Sequence, residues 1–499
     1  MRELVQDPLN RKPLAYRLRE SVQYHPGNGF PILVQRFPLR FVALHPFWRA
    51  VFDCDIDRNY IPFDEIRAGA NHVDPAKTEI FLNGLVRKGF LEQEGFPILP
   101  DDPCVSIIIP VRNRAETITA CLQSMKRLDY PSEKLEVIVV DDASDDHTTE
   151  VVSTFPVQLI SLKEHRQASF CRNLGARRAR GEILAFLDSD CTADPSWLKE
   201  LIPAFTDPSN GAVGGLVDSY FSQKGLDYYE KVKSSLNLGS WPKSSREDKR
   251  FFYLPACNLL VRRVLFLQLG GFNEHMVVGE DVDLCWRLQD QGHHVEYRPV
   301  GKVYHQHRNK VREFCLRRFD YGTSEPFLQR SHSKRIKQFV ISPPAFIFWG
   351  LVFLSIASGW IPPLGLGGGI VLVDSLMKFT RIRRKHVPIH FPRLLLSTFR
   401  SYFVFCYHVC TFVSRYYLLW AFLIFMLSPL VSAILLGMHL LTGAGEYLIR
   451  KPRLNFPLFL FYFTLDQLSY QLGVWWGCLK ECFFRPVNPQ IVKKSSGDL

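Results

Sequence analysis

Two aspartates one residue apart, Asp188 and Asp190, follow directly on an apolar run, Glu182–Leu187. Carboxylates so spaced on a tight turn can hold one hard divalent ion, with a ligand's phosphates and water completing its shell. The plainer alternative is an Asp-rich turn capping the helix expected near Pro195. Other groups lie in register with other runs. Pro110, Arg112, Asn113 and Arg114 follow one, Asp141 and Asp142 end a second, and Arg172-Asn173 precedes the Asp188 strand. Gly279-Glu280-Asp281 opens a helix that carries Asp283 and Arg287 four residues apart. Arg172 suits two-pronged phosphate donation. The acids of the last helix also suit its dipole, and Asp283–Arg287 suits an i,i+4 ion pair.

The elements that must position these groups alternate. Val105–Ile109, Leu135–Val140, Val157–Leu162 and Glu182–Leu187 read as strands, with helical patterns at Glu116–Arg127 and Gln167–Arg180. Apolar strands alternating with helices predict a mainly parallel sheet, with ligands at the strands' carboxyl ends. Those are the ends that carry the aspartates.

This order of motifs, across about 215 residues, resembles a family 2 glycosyltransferase with the GT-A fold. The resemblance implies an α/β domain that binds a nucleotide-sugar, with Pro110, Arg112, Asn113, Asp141, Asp142, Arg172, Asn173 and Asp188 around the donor. It implies Mg2+ or Mn2+ at Asp188 and Asp190. His305, after a late strand, is implied as a third ligand, and Asp281, beside Glu280, as the base that deprotonates the acceptor. The Q-x-x-R-W sequence of processive members is absent, which argues against a translocating polymer channel.

Two flanking regions narrow the expectation. Residues 1–98, with strands at Pro31–Val34 and Leu39–Leu44, helices at Phe47–Phe52 and Thr78–Lys88 and a strand from Phe90, look like a winged-helix, PqqD-type peptide-recognition domain. Such a domain takes a peptide as an added strand. Gly95–Pro103 reads as a linker to the transferase domain, 99–335. Residues 336–499 hold two long uncharged stretches, Phe339–Val373 with Pro362-Pro363 inside it and Tyr416–Gly445 broken by Pro429. The first reads as a helical hairpin dipping into a membrane. Leu454–Leu479 reads as an interfacial helix with a stripe of Leu465, Leu468, Leu472, Trp475, Trp476 and Leu479. Phe319–Ser324 and Leu465–Gly477 look like the tail motifs of the mycofactocin-system glycosyltransferases. That likeness implies transfer of a hexose, glucose from UDP-glucose foremost, to mycofactocin or its peptide precursor. The alternatives are a membrane polysaccharide or glycolipid synthase and a non-catalytic peptide chaperone.

Composition agrees with this division. The chain has 499 residues, 47% hydrophobic, and a net charge of +12. From Ile336 onward there are 16 Lys/Arg against 5 Asp/Glu, which leaves 45 against 44 before it. A basic excess beside the longest apolar runs predicts contact with membrane lipids and excludes a nucleic-acid groove. The first residues, MRELVQDPLN, lack the apolar core of a signal peptide. The 12 Cys are scattered, with no C-x-x-C, as in a reducing compartment. The expectation is a protein at the cell membrane with its catalytic domain in the cytoplasm.

Overall fold

A computed structural model describes residues 14–493, apart from 27–29, 36–37, 54–55, 57–58, 70–73, 96–100, 247–250, 336 and 385–386. Half of the expected linker therefore lies outside the described residues. The chain divides into two compact units. The first holds residues 14–19 and Arg58–Phe314, and the second holds Glu20–Asp57 and residues 315–493. The described residues among 14–95 are thus shared between the units.

The first unit is built on an eight-stranded sheet. Its order is Lys243–Ser244, His294–Tyr297, Asn210–Gly214, Leu259–Arg262, Ile183–Phe186, Val105–Val111, Leu135–Asp141 and Gln158–Ser161. The last four are parallel, whereas Leu259–Arg262 runs antiparallel to Ile183–Phe186 and makes the sheet mixed. Side chains alternate across the pleat between two apolar layers. Ile107, Ile109, Val139 and Ala185 enter one layer, and Ile108, Ile138, Val140, Leu184 and Phe186 enter the other. Helices cover both faces, so the strands read as continuous apolar runs. A second, three-stranded sheet joins Cys191–Ala193, Val303–His305 and Val217–Ser219. It pairs Cys191 with His305 and so ties the late histidine to the Asp188–Asp190 turn. The strands Ala15–Leu18, Ile61–Pro62 and Leu91–Glu94 form a further small sheet in this unit. The first two of these escaped the sequence because they are short and lack a clean apolar alternation.

The second unit combines a sheet of Val22–His25, Ile32–Gln35 and Arg40–Ala43 with long helices. Ile32 and Val34 pack on Ile382, Val387 and Leu394. The apolar stretch from Phe339 begins with a short strand, Gln338–Ile341, paired with Gln490–Lys493. It then forms the expected hairpin, Pro343–Ser358 and Pro362–Arg383, broken just before Pro362-Pro363. Phe391–Leu423 and Pro429–Arg450 make a second helix pair, and Phe456–Glu481 follows. Among the described residues, Pro429–Arg450 alone is long and apolar enough to cross a membrane.

The Phe456–Glu481 helix turns polar residues inward. Asp466, Gln467 and Gln471 are buried, while Leu472, Trp476 and Leu479 of the expected stripe are 45–60% exposed. Asp466 meets Arg318 at 3.3 Å. Glu325 accepts hydrogen bonds from Tyr470 at 2.7 Å and Tyr416 at 3.1 Å and pairs with Lys337. Phe459, Phe463, Val474 and Cys478 are buried on the same helix, so these polar groups lie within a mixed inward face. The two tail motifs meet here: a Cβ on Gly473 would stand 2.0 Å from the carbonyl oxygen of Phe319. Gly473→Val should therefore lower the thermal midpoint of unfolding, at a cost of at least about 3 kcal/mol. Gly368→Ala, with open space around it, should leave the midpoint unchanged or slightly raised.

Candidate active site

Three parallel strands deliver loops to one end of the sheet. The loop after Val105–Val111 is tied to the loop after Leu135–Asp141. The Asn113 N–H donates to Ser144 Oγ at 2.9 Å, and the Asp145 N–H donates to Asn113 Oδ1 at 3.1 Å. Asn113 adopts φ of 50°, a conformation that Asn tolerates better than most residues. Pro110 is buried within its strand, whereas Arg112 is exposed.

Asp141 and Asp142 are both buried. Asp141 accepts the hydroxyl and the N–H of Ser144 and so closes its own turn. Asp142 accepts the N–H groups of Arg166 at 2.6 Å and Gln167 at 2.9 Å, and pairs with His165. It thereby caps the Gln167–Arg178 helix, where free N–H groups and the helix dipole favour an anion.

That helix presents Arg172 and Asn173. Asn173 is buried and clamps the turn before the Glu280 helix: its amide donates to the carbonyl of Phe272 and to Glu274, and it accepts the N–H of Phe272. Arg172 joins two motifs that are 92 residues apart. Its Nη2 donates to Asp188 Oδ1 at 2.6 Å and its Nη1 to Glu280 Oε1 at 2.9 Å. The guanidinium side chain is 5% exposed, which strengthens both charge-assisted bonds.

Glu280 and Asp281 start the Glu280–Asp290 helix. Gly279 precedes it at φ of 87°, a left-handed turn that suits glycine and aims the helix's N-terminus. The Asp283–Arg287 pair forms at 2.8 Å, as the spacing predicts. Asp281 accepts the N–H of Ala256 at 3.2 Å and of Val282 at 2.8 Å. Burial and the neighbouring charge of Glu280 push its carboxyl up to about 7, against the opposing pull of those N–H groups and of Arg172. A carboxylate so raised is a stronger base than a free one and is still ionised near neutral pH.

On the other side of the Asp188–Asp190 turn, Asp190, Cys191 and His305 offer ligand atoms within 4.8 Å of one another. His305 Nε2 lies 3.5 Å from Asp190 Oδ1. Burial and contact with Cys257 keep the Cys191 thiol protonated, so the carboxylate and imidazole are the better donors. They suit a divalent ion that draws the rest of its shell from phosphate and water. Asp188, expected beside Asp190 as a metal ligand, is not in this group and instead accepts a hydrogen bond from Arg172. The His307 ring is tilted against His305, Nδ1 to Nδ1 at 3.2 Å, and pairs with Glu230 at 3.7 Å. Arg308 approaches Asp190 at 3.7 Å, as does Arg114 at 3.9 Å. Arg308 was not singled out in the sequence, although it directly follows the His305-x-His307 pattern.

A mixed α/β sheet with acidic loops at one end, bridged by a buried arginine, is the frame of a GT-A type transferase. The profile of Glycosyl transferase family 2 matches residues 106–267, so the chain carries a family 2 glycosyltransferase domain and is a glycosyltransferase. It is similar to the pre-mycofactocin glycosyltransferase of Mycobacterium tuberculosis, 29% identical over 411 residues, which span 79% of this chain and 84% of that one. Glycosyltransferase AglE of Haloferax volcanii is 32% identical over 200 residues, 39% of this chain and 64% of its own length. The solved structure of mannosyltransferase PcManGT from Pyrobaculum calidifontis, in complex with GDP-Man and Mn2+, is 20% identical and covers 66% of this chain and 93% of that one, with a TM-score of 0.39.

Two outcomes follow from Arg172 and Asp281. If Asp281 is the group that accepts the acceptor's proton, kcat/KM should rise with pH through about 7 and level off above it. Replacing Arg172 by Met removes a cation that favours ionisation, so this rise should move to higher pH. The same substitution leaves Glu280 and Asp188 without their shared cation, and chemical denaturation should show a loss of about 3 kcal/mol.

Proposed function

We propose that the protein is an inverting glycosyltransferase that moves a hexose, glucose foremost, from a nucleotide-sugar to pre-mycofactocin or its peptide precursor. The observation that carries the mechanism is the Glu280–Arg172–Asp188 bridge, which brings the base motif to the donor motif. Likeness to the pre-mycofactocin glycosyltransferase over 79% of the chain supports the choice of acceptor.

In this reading the donor lies across the carboxyl ends of the strands, with its base against the loops that carry Arg112, Asn113 and Asp141 and its diphosphate above the Asp188–Asp190 turn. Asp190 and His305, with Asp188, would hold Mg2+ or Mn2+, which would supply positive charge to the departing diphosphate. Asp281 takes the proton of the acceptor hydroxyl. The freed oxygen forms a bond to the anomeric carbon as the bond to the diphosphate breaks, and its electron pair leaves with the phosphate. Glu280 keeps Arg172 oriented and helps to raise the basicity of Asp281. One displacement on the face opposite the leaving group inverts the anomeric centre.

In this reading the second unit lies at a membrane. Its exposed apolar side chains include Trp360, Ile361, Met426, Leu427 and Trp476, and its basic groups include Arg381, Arg383 and Arg450. Lipid would cover the first set and anionic headgroups would meet the second. The catalytic domain is then cytoplasmic, where nucleotide-sugars are made. The strands among residues 14–94 would recognise the peptide portion of the acceptor at a sheet edge, in the manner of a PqqD-type domain.

Incubation with UDP-glucose, Mn2+ and pre-mycofactocin, read by mass spectrometry, should show addition of hexose. Asp281→Asn should lower transfer by about 10²–10⁴-fold while the enzyme still binds UDP. Full turnover by that variant would remove Asp281 from the role of base. Transfer to lipid or glycan acceptors but never to pre-mycofactocin would make the protein a membrane glycan synthase. The absence of metal-dependent turnover with every acceptor would leave a peptide chaperone.

A further inference from the structure

The cations around the Asp188–Asp190 turn are held in two different ways. Arg172 is locked between Asp188 at 2.6 Å and Glu280 at 2.9 Å, with its side chain 5% exposed. Arg114 and Arg308 are loose. Both approach the same oxygen, Asp190 Oδ2, at 3.9 and 3.7 Å, with side chains 34% and 40% exposed. Charge-assisted hydrogen bonds close to about 2.7–2.9 Å, so neither arginine makes one with Asp190.

Their backbones are nevertheless fixed. The Arg114 N–H donates to Thr148 Oγ1 at 2.8 Å. Two residues before Arg308, the Gln306 N–H donates to the Asp190 carbonyl at 2.9 Å. Two long cationic side chains thus stand on rigid supports beside one carboxylate, with reach and without a committed partner geometry.

Charge accounting indicates what they reach for. Asp188, Asp190, Glu280 and the ionised Asp281 carry four negative charges, and Arg114, Arg172 and Arg308 carry three positive ones. A nucleotide-sugar with two phosphate charges and one divalent ion add nothing net. When the bond from the sugar to the phosphate oxygen breaks, the electron pair stays on the diphosphate and one further negative charge appears there. Asp281 loses its own charge to the acceptor's proton, so negative charge moves from that side of the site to the diphosphate; Arg172 is already held by two carboxylates, which leaves Arg114 and Arg308 as the cations available there.

Resting on the nucleotide-sugar reading above, we propose that Arg114 and Arg308 bind the donor's diphosphate, and that Asp190 holds them in reserve until donor and divalent ion occupy the site. They act on the leaving group, from the opposite side to Arg172, and bind the product diphosphate more strongly than the intact donor.

Titration calorimetry on the full chain tests this, with UDP, UDP-glucose and inorganic pyrophosphate as probes in Mg2+ buffer at fixed ionic strength. Arg308→Gln and Arg114→Gln should each weaken UDP and pyrophosphate about tenfold, and UDP-glucose by a smaller factor. Affinities within twofold of the unmodified protein for all three probes would overturn the proposal. So would an equal loss for UDP and UDP-glucose, because the arginines would then not respond to the added charge. If the variants weaken pyrophosphate although UDP binds neither them nor the unmodified protein, the arginine assignment stands and the nucleotide reading falls. Thermal midpoints report folding. Should a variant fail to fold, the unmodified protein's affinity for pyrophosphate must fall as salt is raised, and salt-independent binding would overturn the assignment.

Discussion

One buried guanidinium determines the geometry of the site. Arg172 lies on a helix between the second and third motifs, yet its two arms reach Asp188 on one side and Glu280 on the other. The cost of burying that cation is offset only if both carboxylates arrive together. The strand that ends at Phe186, the Gln167–Arg178 helix and the Gly279 turn must therefore all hold their positions. Asp142 fixes the start of the arginine's helix, and Asn173, one residue further on, fixes the Phe272 turn that leads to Glu280. Residues that first read as ligand contacts also serve as the framework that positions Arg172.

The same bridge sets the chemistry of its neighbour. Asp281 is half-buried beside Glu280, and desolvation together with that neighbouring charge raises its carboxyl to about 7, while Arg172 and two backbone N–H groups limit the rise. The site therefore has a tightly neutralised half, around Asp188 and Glu280, and a looser half, where Asp190 faces His305, Arg114 and Arg308. A transfer that moves negative charge onto a leaving diphosphate needs this asymmetry: a fixed scaffold on one side and responsive charge on the other.

Much of this arrangement was legible in the sequence. Residues buried on both sheet faces leave continuous apolar runs, and carboxylates at strand ends stand out against them. Val105–Val111 and Leu135–Asp141 extend their runs by only one or two residues. The helix break at Pro362-Pro363 and the second break before Pro429 were equally plain, because proline lacks the N–H that a helix interior needs. Two features were not legible. The division of residues 14–94 between units depends on long-range contacts such as Ile32 and Val34 against Ile382. The inward face of Phe456–Glu481 also carries Asp466 and Gln471, which a stripe drawn from apolar residues alone leaves out, because their partners lie on helices far along the chain. Periodicity finds the two faces of a helix, and only the surroundings decide which of them is the inside.

The account holds that one carboxylate, Asp281, activates the acceptor opposite the diphosphate that Asp188 and Asp190 hold. That arrangement permits a single displacement, and its stereochemistry is directly observable. Proton NMR of the sugar transferred from UDP-α-glucose should show a β-configured anomeric proton in the first product formed. An α-configured product would contradict the account, because retention would require a nucleophile or a face of attack that this arrangement does not provide.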